Sequence, residues 1–166
     1  ATISDAYENK TVTFTNVPAG SILLIEATKR AFIDNIQLFC TPSTPKPEIN
    51  IKQGSTNIVN GTGQYDFGNQ QVSTAGNAVT FTIENTGTAP LNIDAITKGG
   101  ANPGDFTVST SGMSSSVAAS VSTTFTIQFT PSALVARSTT ISIANDDIDE
   151  SPYVFTVKGN GTNSSA

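Results

Sequence analysis

Apolar and polar residues alternate along most of this sequence. In the segment 79–84, the apolar Val79, Phe81 and Ile83 fall on one side, with threonine and glutamate on the other. A period of two is the period of a β-strand, and β-branched threonine suits its solvated face. The pattern recurs in the segments 123–130, 139–143 and 153–157. No window of about eleven residues carries a helical stripe. The sequence therefore predicts an all-β protein.

Turn-forming residues separate these stretches at short intervals. Glycine, asparagine and aspartate accept positive φ or bond their own backbone, and proline presets the turn. Between residues 47 and 161 we count about eight strands, a spacing typical of a β-sandwich. Two sheets packed face to face can bury the phenylalanines, which one sheet could not. We expect Gly87 to take a positive φ in the turn at 85–87, and Gly159 and Gly161 to mark the exit of the last strand.

The first forty residues have a different organisation. Three strand candidates lie at 11–15, 22–27 and 32–39, which is the lower limit for independent stability. The segment 41–47 holds three prolines in seven residues and predicts a stiff, extended linker. We therefore expect an incomplete or intermolecularly completed N-terminal three-stranded β segment over 1–40, the Pro-rich linker over 41–47, a sandwich over 48–162 and a flexible tail over 163–166.

The amino terminus gives a related expectation. Residues 1–10 lack the basic start and apolar core of a secretion signal, so Ala1 is interpreted as the start of a processed or excised piece. Both a fragment of a larger protein and a complete assembling subunit fit the sequence.

Composition excludes several classes of function. The 166 residues include no histidine, so no Ser-His-Asp or Cys-His nucleophile and no histidine zinc site can form. The single cysteine, Cys40, cannot form an intrachain disulfide and is predicted to be a small buried residue. The net charge of −5 comes without a basic patch for nucleic acid or an apolar run for a membrane helix. The sequence predicts a non-catalytic protein, and its polar, lysine-poor character suits an extracellular location.

An acidic run offers the one candidate metal site. Asp146, Asp147, Asp149 and Glu150 crowd four carboxylates into five residues, and a calcium ion would relieve their repulsion. The EF-hand spacing is absent, however, and a solvated loop between two strands tolerates such charge. A plain acidic loop without a cofactor is therefore the favoured interpretation, with calcium as the alternative. A general acid–base pair is the third interpretation, and it would need a cleft and a fixed separation.

Two tyrosines are the candidate ligand residues. Sugar-binding modules stack glycans on exposed aromatic rings, and this chain has no tryptophan. Tyr153 belongs to an inward pattern, which leaves Tyr65 and Tyr7 as glycan candidates. Asp66 and Asp105 precede strand segments, and we expect their side chains to bond local backbone amides.

Several segments after residue 47 together resemble a known family. They are PEINI at 47–51, DFG at 66–68, FTIENTG at 81–87, APL at 89–91, DFTV at 105–108, FTIQFTP at 125–131, ISIANDD at 141–147 and YVFTVKGNG at 153–161. They resemble the choice-of-anchor D repeat of bacterial surface and secreted proteins, which is related to the ASH/hydin group of immunoglobulin-like domains. The resemblance implies an immunoglobulin-like β-sandwich without catalytic residues, in a multidomain extracellular protein. The segment 32–38 is similar to the final strands of jelly-roll modules from secreted Bacteroidetes proteins.

These observations lead to one predicted function and one alternative. The prediction is a non-catalytic structural or interaction module, secreted or on the bacterial cell surface, that acts as a spacer, adhesion or surface-assembly domain. Its partners would be other protein domains, or copies of itself that polymerise by strand addition at exposed β edges. The alternative is an accessory glycan- or calcium-binding module of a secreted hydrolase. Neither version involves nucleic acid or membrane insertion.

Overall fold

The computed structural model describes residues 44–163, which form ten strands and one short 3-10 helix. The strands are β1 (Ile49–Gln53), β2 (Thr56–Asn57), β3 (Gln64–Gln71), β4 (Val79–Asn85), β5 (Leu91–Gly99), β6 (Phe106–Ser109), β7 (Ser116–Val117), β8 (Ser122–Phe129), β9 (Val135–Asn145) and β10 (Tyr153–Thr162), with the helix at Pro103–Asp105. The N-terminal β segment, Cys40 and Tyr7 lie outside the described residues. The division of the chain into segment, linker and sandwich therefore stays a prediction.

The strands form two five-stranded sheets. The first has the order β2-β1-β4-β8-β6, and the second has the order β3-β10-β9-β5-β7. Neighbouring strands are antiparallel, except that β3 runs parallel to β10. The prediction of an all-β, immunoglobulin-like sandwich is confirmed. The strands that periodicity did not indicate include β2 and β7, which have only two residues each and cannot show a period.

The core lies between the sheets and follows the alternation of the sequence. Phe81 and Ile83 are fully buried on β4, while Thr80, which lies between the inward-facing Val79 and Phe81, is exposed. The rings of Phe106 and Phe129 stack with centroids 4.8 Å apart. Burial of each such side chain stabilises the fold by roughly 1.5–3 kcal/mol, so these aromatic residues supply much of the driving force.

Two of three glycines, Gly87 and Gly159, have different roles from those expected. Gly87 does not take a positive φ; a Cβ there would lie 2.6 Å from the Glu48 nitrogen, so glycine permits a close approach of two backbones. Gly159 lies inside β10, three residues before its end, whereas Gly161 is the next-to-last residue of the strand, as expected. A Cβ on Gly159 would lie 2.9 Å from an atom of the Phe129 ring. The expectations for Gly87 and Gly159 were wrong because a sequence shows a glycine but not the neighbour that excludes its side chain.

The two aspartates before strand segments also differ from each other. Asp66 accepts a hydrogen bond from the Gly68 backbone N–H at 2.8 Å, which confirms the local bond expected there. Asp105 instead pairs with Arg137, which is 32 residues away, and is only 5% exposed. Burial alone would raise the pKa of Asp105, but hydrogen bonds from Arg137 and Ser132 hold it below its usual value. The expectation of a local partner for Asp105 was therefore wrong.

The chain enters and leaves the sandwich at opposite ends. Ile49 pairs with Asn85 at the end of β4, and it bonds to the loop that precedes β10; we call this the entry end. Strand β10 ends at Thr162, whose carbonyl accepts from the Val72 N–H. The next residue, Ser73, donates to the Pro131 carbonyl just after β8, so Thr162 lies near the end of β8; we call this the exit end. Strands β1 and β10 thus run in the same direction, in different sheets. No helix among residues 44–163 has the length and apolar character needed to cross a membrane.

Candidate functional site

The loop that joins β9 to β10 begins at a buried asparagine. The Asn145 side chain is 7% exposed, accepts from the Asp147 N–H at 2.9 Å and donates to the Ile143 carbonyl at 3.0 Å. The Ser151 hydroxyl donates to the Asn145 carbonyl at 2.6 Å. These bonds hold both ends of the loop and turn Asp147 inward.

Asp147 connects this loop to the first strand. Asp147 as a whole residue is 2% exposed, and its Oδ2 accepts from the Ile49 N–H at 2.9 Å. Glu48 directly precedes Ile49, so this contact also brings the Glu48 side chain to the loop. Glu48, Asp147 and Glu150 can each place one carboxylate oxygen within 4.8 Å of the others. We call these three residues the acidic cluster.

The surroundings of the acidic cluster disfavour the charged form of its carboxyl groups. Burial raises the pKa of Asp147, and the neighbouring Asp149 raises it further. Burial likewise raises the pKa of Glu150, and repulsion from Asp147 and Glu48 adds to the effect. The pKa of Glu48 is raised by burial and by Asp147 and Asp149, with Lys46 as the one opposing charge. The cluster therefore lacks enough positive charge to balance its carboxylates.

The structure places the four acidic candidates in different surroundings. Asp147 and Glu150 belong to the acidic cluster. Asp146 points away from it and accepts from the backbone N–H and the side-chain amide of Asn92, at 2.8 and 2.7 Å. Asp149 lies beside Asp147 and lines a hollow with Lys46 and Ile148.

Sequence reasoning missed Glu48, the third member of the acidic cluster. Glu48 and Glu150 are 102 positions apart, so their spacing gives no sign of a contact. The hydrogen bond from the Ile49 N–H to Asp147 brings Glu48 to the loop. Carboxylate oxygens are the ligands that calcium prefers, and three of them converge here. The calcium site predicted at Asp146, Asp147, Asp149 and Glu150 stays a prediction. Of those four residues, Asp147 and Glu150 converge with Glu48 in the acidic cluster.

Tyr65 lies against the core. Its ring meets Phe67 edge-on at 5.0 Å and Phe81 edge-on at 5.2 Å. A ring held in this way supports packing of β3 onto the other sheet and offers little surface on which a sugar could stack. Tyr7, the second glycan candidate, lies outside the described residues.

The entry end has two depressions that are open to solvent. One is lined by Thr44, Lys46, Pro47 and Glu48 together with Thr86, Gly87 and Thr88. The other is lined by Lys46, Pro47, Asp147, Ile148 and Asp149. Neither lining contains a cysteine or a histidine. Serine is absent from both linings as well, and their ionisable side chains are Lys46, Glu48, Asp147 and Asp149.

Two sheets in this order, around a phenylalanine-rich core, define an immunoglobulin-like sandwich. Residues 58–160 match the family of HYDIN/CFA65/VesB-like, Ig-like domains. The match covers more than half of the 166 residues, and the chain therefore belongs to this family. The resemblance to the ASH/hydin group is confirmed. No curated protein sequence matches the chain.

Solved structures support the same fold. The chain is similar to a protein of unknown function from Porphyromonas gingivalis W83, with 15% identity and a TM-score of 0.55 over 72% of this chain and 49% of that one. It is also similar to the ASH/PapD-like domain 7 of human CEP192, with 12% identity and a TM-score of 0.52 over 82% of this chain and 100% of that domain. The chain thus spans about half of the bacterial protein's length. At these identities the likeness shows the fold alone.

Domains of this family are generally non-catalytic and generally mediate contacts between proteins. The class of module predicted from the sequence, a non-catalytic interaction domain, is consistent with this membership.

Proposed function

We propose that this chain is an extracellular interaction module that assembles with copies of itself through the open edge of β3. Strand β3 is bonded to β10 on one side only, and no other strand among the described residues lies on its other side. An edge strand presents unpaired backbone N–H and C=O groups, which can accept an added strand. This open edge is the observation that carries the proposal.

The other edges of the sandwich are shorter or obstructed. Strands β2 and β7 have two residues each. Strand β6 has four residues, and the Lys98 ammonium group donates to its Phe106 carbonyl. Strand β5 continues past β7, but its register is interrupted between Ile93 and Ala95 and it carries Lys98 beyond that point. Bulges and lysines are devices that protect an edge from pairing, which leaves β3 as the longest candidate.

The β3 edge is itself divided into two parts. Gly68 takes φ of 72°, and its N–H is occupied by Asp66. The register with β10 also shifts opposite this point. We therefore expect an added strand to pair with the regular part that begins at Gln64. The Gly63 carbonyl accepts from Thr156 on β10, so the backbone N–H of Gln64, the next residue, faces the open side.

Sedimentation of the whole chain over a wide concentration range tests this proposal. We expect oligomers whose size grows with concentration. Gln64→Pro should abolish them and the matched Gln64→Ala should preserve them, because only proline removes the outward N–H. A monodisperse monomer at every concentration would contradict self-assembly. Oligomers that survive Gln64→Pro in a folded variant would contradict the choice of β3.

Extracellular location is part of the proposal. The polar, lysine-poor composition supports it, and fractionation of the source cells tests it. The alternative of a glycan-binding accessory module has less support, because every aromatic ring within residues 44–163 is buried or half-buried. The calcium version rests on the acidic cluster alone.

A further inference from the structure

The geometry points to a mechanical function for the sandwich. We propose that it carries tension along its strands, between the chain that precedes Lys46 and the chain that follows Thr162. The proposal develops the spacer role of the module, and it concerns one molecule at a time. It therefore does not depend on assembly through β3.

The first observation is the placement of the two connections. The chain enters next to Ile49 at the entry end and leaves after Thr162 at the exit end. A pull on the two connections is directed along β1 and β10 and not across them. Strand hydrogen bonds are perpendicular to the strand, so such a pull loads them in shear, and many must break together.

The exit strand lies inside its sheet. Strand β10 pairs with β9 from Tyr153 to Gly161 and with β3 from Thr156 to Thr162. To slide out toward the exit end, β10 would have to break both ladders at once. Each backbone hydrogen bond adds to the resistance of the strand, so a strand bonded on two sides is the stronger of the two connections.

The entry strand is shorter, and additional bonds extend it. Strand β1 pairs with β4 only from Ile49 to Lys52. Before it, the Lys46 carbonyl accepts from the N–H groups of Thr88 and Ala89, at 2.8 and 3.0 Å, and the Glu48 carbonyl accepts from Thr86 at 2.8 Å. We call the segment Lys46–Glu48 with its partners in the turn after β4 the entry clamp.

Two further contacts reinforce the entry clamp. The Glu48 N–H donates to the buried Asn85 side chain at 3.2 Å, and the Ile49 N–H donates to Asp147 at 2.9 Å. The second contact ties the first strand to the opposite sheet. Gly87 allows the two backbones to approach, because a side chain there would meet Pro47 and Glu48. The clamp thus lengthens the shear contact at the point where the entry strand alone would yield first.

Single-molecule force measurements on the whole chain test the proposal. With Cys40→Ser as background, handles at Thr44→Cys and Asn163→Cys pull along the strands. Handles at Ser55→Cys and Asn163→Cys are the matched control, because Ser55 follows β1 at the exit end and a pull there peels β1 from its neighbours. We expect the rupture force along the strands to be about twice the control value at equal loading rate, since forced unfolding follows the unfolding barrier. Equal or lower force along the strands would overturn the proposal.

Substitutions in the entry clamp provide the second test. We expect Gly87→Ala to lower the rupture force along the strands and to leave the peeling force nearly unchanged. Gly104→Ala is the matched control, because a Cβ there has nothing within 4 Å. If Gly87→Ala does not fold, Thr88→Val removes the bond from the Lys46 N–H to the Thr88 hydroxyl and serves the same purpose. A clamp variant that weakens both pulling directions equally would overturn the role of the clamp. A monomeric protein with direction-dependent rupture would contradict only the assembly through β3.

Discussion

The Oδ2 atom of Asp147 accepts a hydrogen bond from the Ile49 N–H at 2.9 Å, across 98 positions of sequence. Because Ile49 starts β1 and Asp147 lies in the loop between β9 and β10, this one bond joins the two sheets at the entry end. It also buries a carboxylate next to Glu48 and Glu150. The same contact therefore stabilises the fold and creates the acidic cluster.

Replacement of Glu150 by glutamine tests the electrostatics of this cluster. Burial and neighbouring carboxylates raise the pKa of Glu150, so the folded state holds its proton more tightly than the unfolded state. Stability should then rise as pH falls from neutral through the raised pKa toward the ordinary value of 4.5. Glu150→Gln should raise the free energy of unfolding at pH 7 by a few tenths to about 1 kcal/mol, with the advantage disappearing below about pH 4.

Glu84→Gln is the matched control in the same urea titrations. A hydrogen bond from Lys52 lowers the pKa of Glu84 in the folded state. The ionised Glu84 therefore stabilises the fold at any pH above its ordinary pKa, and this stabilisation is lost as pH falls through its folded-state pKa. The substitution should therefore lower stability at pH 7. The same sign for both variants would show that the assigned pKa directions are wrong.

The ion pair of Asp105 and Arg137 should be important for stability. Removal of Arg137 would leave the Asp105 carboxylate, 6% exposed, without its charged partner. We expect Arg137→Ala to lower the free energy of unfolding by about 3 kcal/mol. Lys158→Ala, which removes an exposed pair with Asp66 at 3.9 Å, should change it by less than about 0.5 kcal/mol. Chemical denaturation of both variants measures the difference, and similar losses would contradict the structural role of the buried pair.

Gly159→Ala tests the close packing of β10 on the aromatic core. The added methyl group would meet the Phe129 ring, and overpacking of this kind costs about 1–3 kcal/mol. Gly104 has open space around it, so Gly104→Ala should be neutral or stabilising by up to about 1 kcal/mol. Thermal unfolding of the two variants checks the prediction. A stable Gly159→Ala would mean that the ring can move aside.

Calcium should raise the melting temperature if the acidic cluster binds it. Binding to the folded state adds about 2.7 kcal/mol of stability when free calcium is 100 times the dissociation constant. We expect a higher melting temperature in calcium chloride than in a chelator. The increase should be lost in Glu150→Gln and kept in Asp146→Asn, because Asp146 faces Asn92. An unchanged melting temperature of the unmodified protein would remove the calcium site from consideration.

Much of the fold could be predicted, because the alternation of apolar and polar residues is visible within each strand segment. Phe81, Phe125 and Phe155 alternate with polar residues on their own strands, and each is buried as expected. The acidic site was predicted only in part. Asp147 and Glu150 could be found in a visible charge run, whereas Glu48 could not, because its neighbours come from the other end of the sandwich sequence.

The sequence by itself determined the strand type, the inward face and the absence of histidine chemistry, since a period of two and a composition need no knowledge of neighbours. Only the tertiary structure decided which carboxylates meet, why Gly87 and Gly159 carry no side chain, and that Asp105 finds Arg137. These features arise where distant strands come within a few ångströms, and such contacts depend on the order of strands in the sheets. A local pattern specifies a strand's period but not its partner.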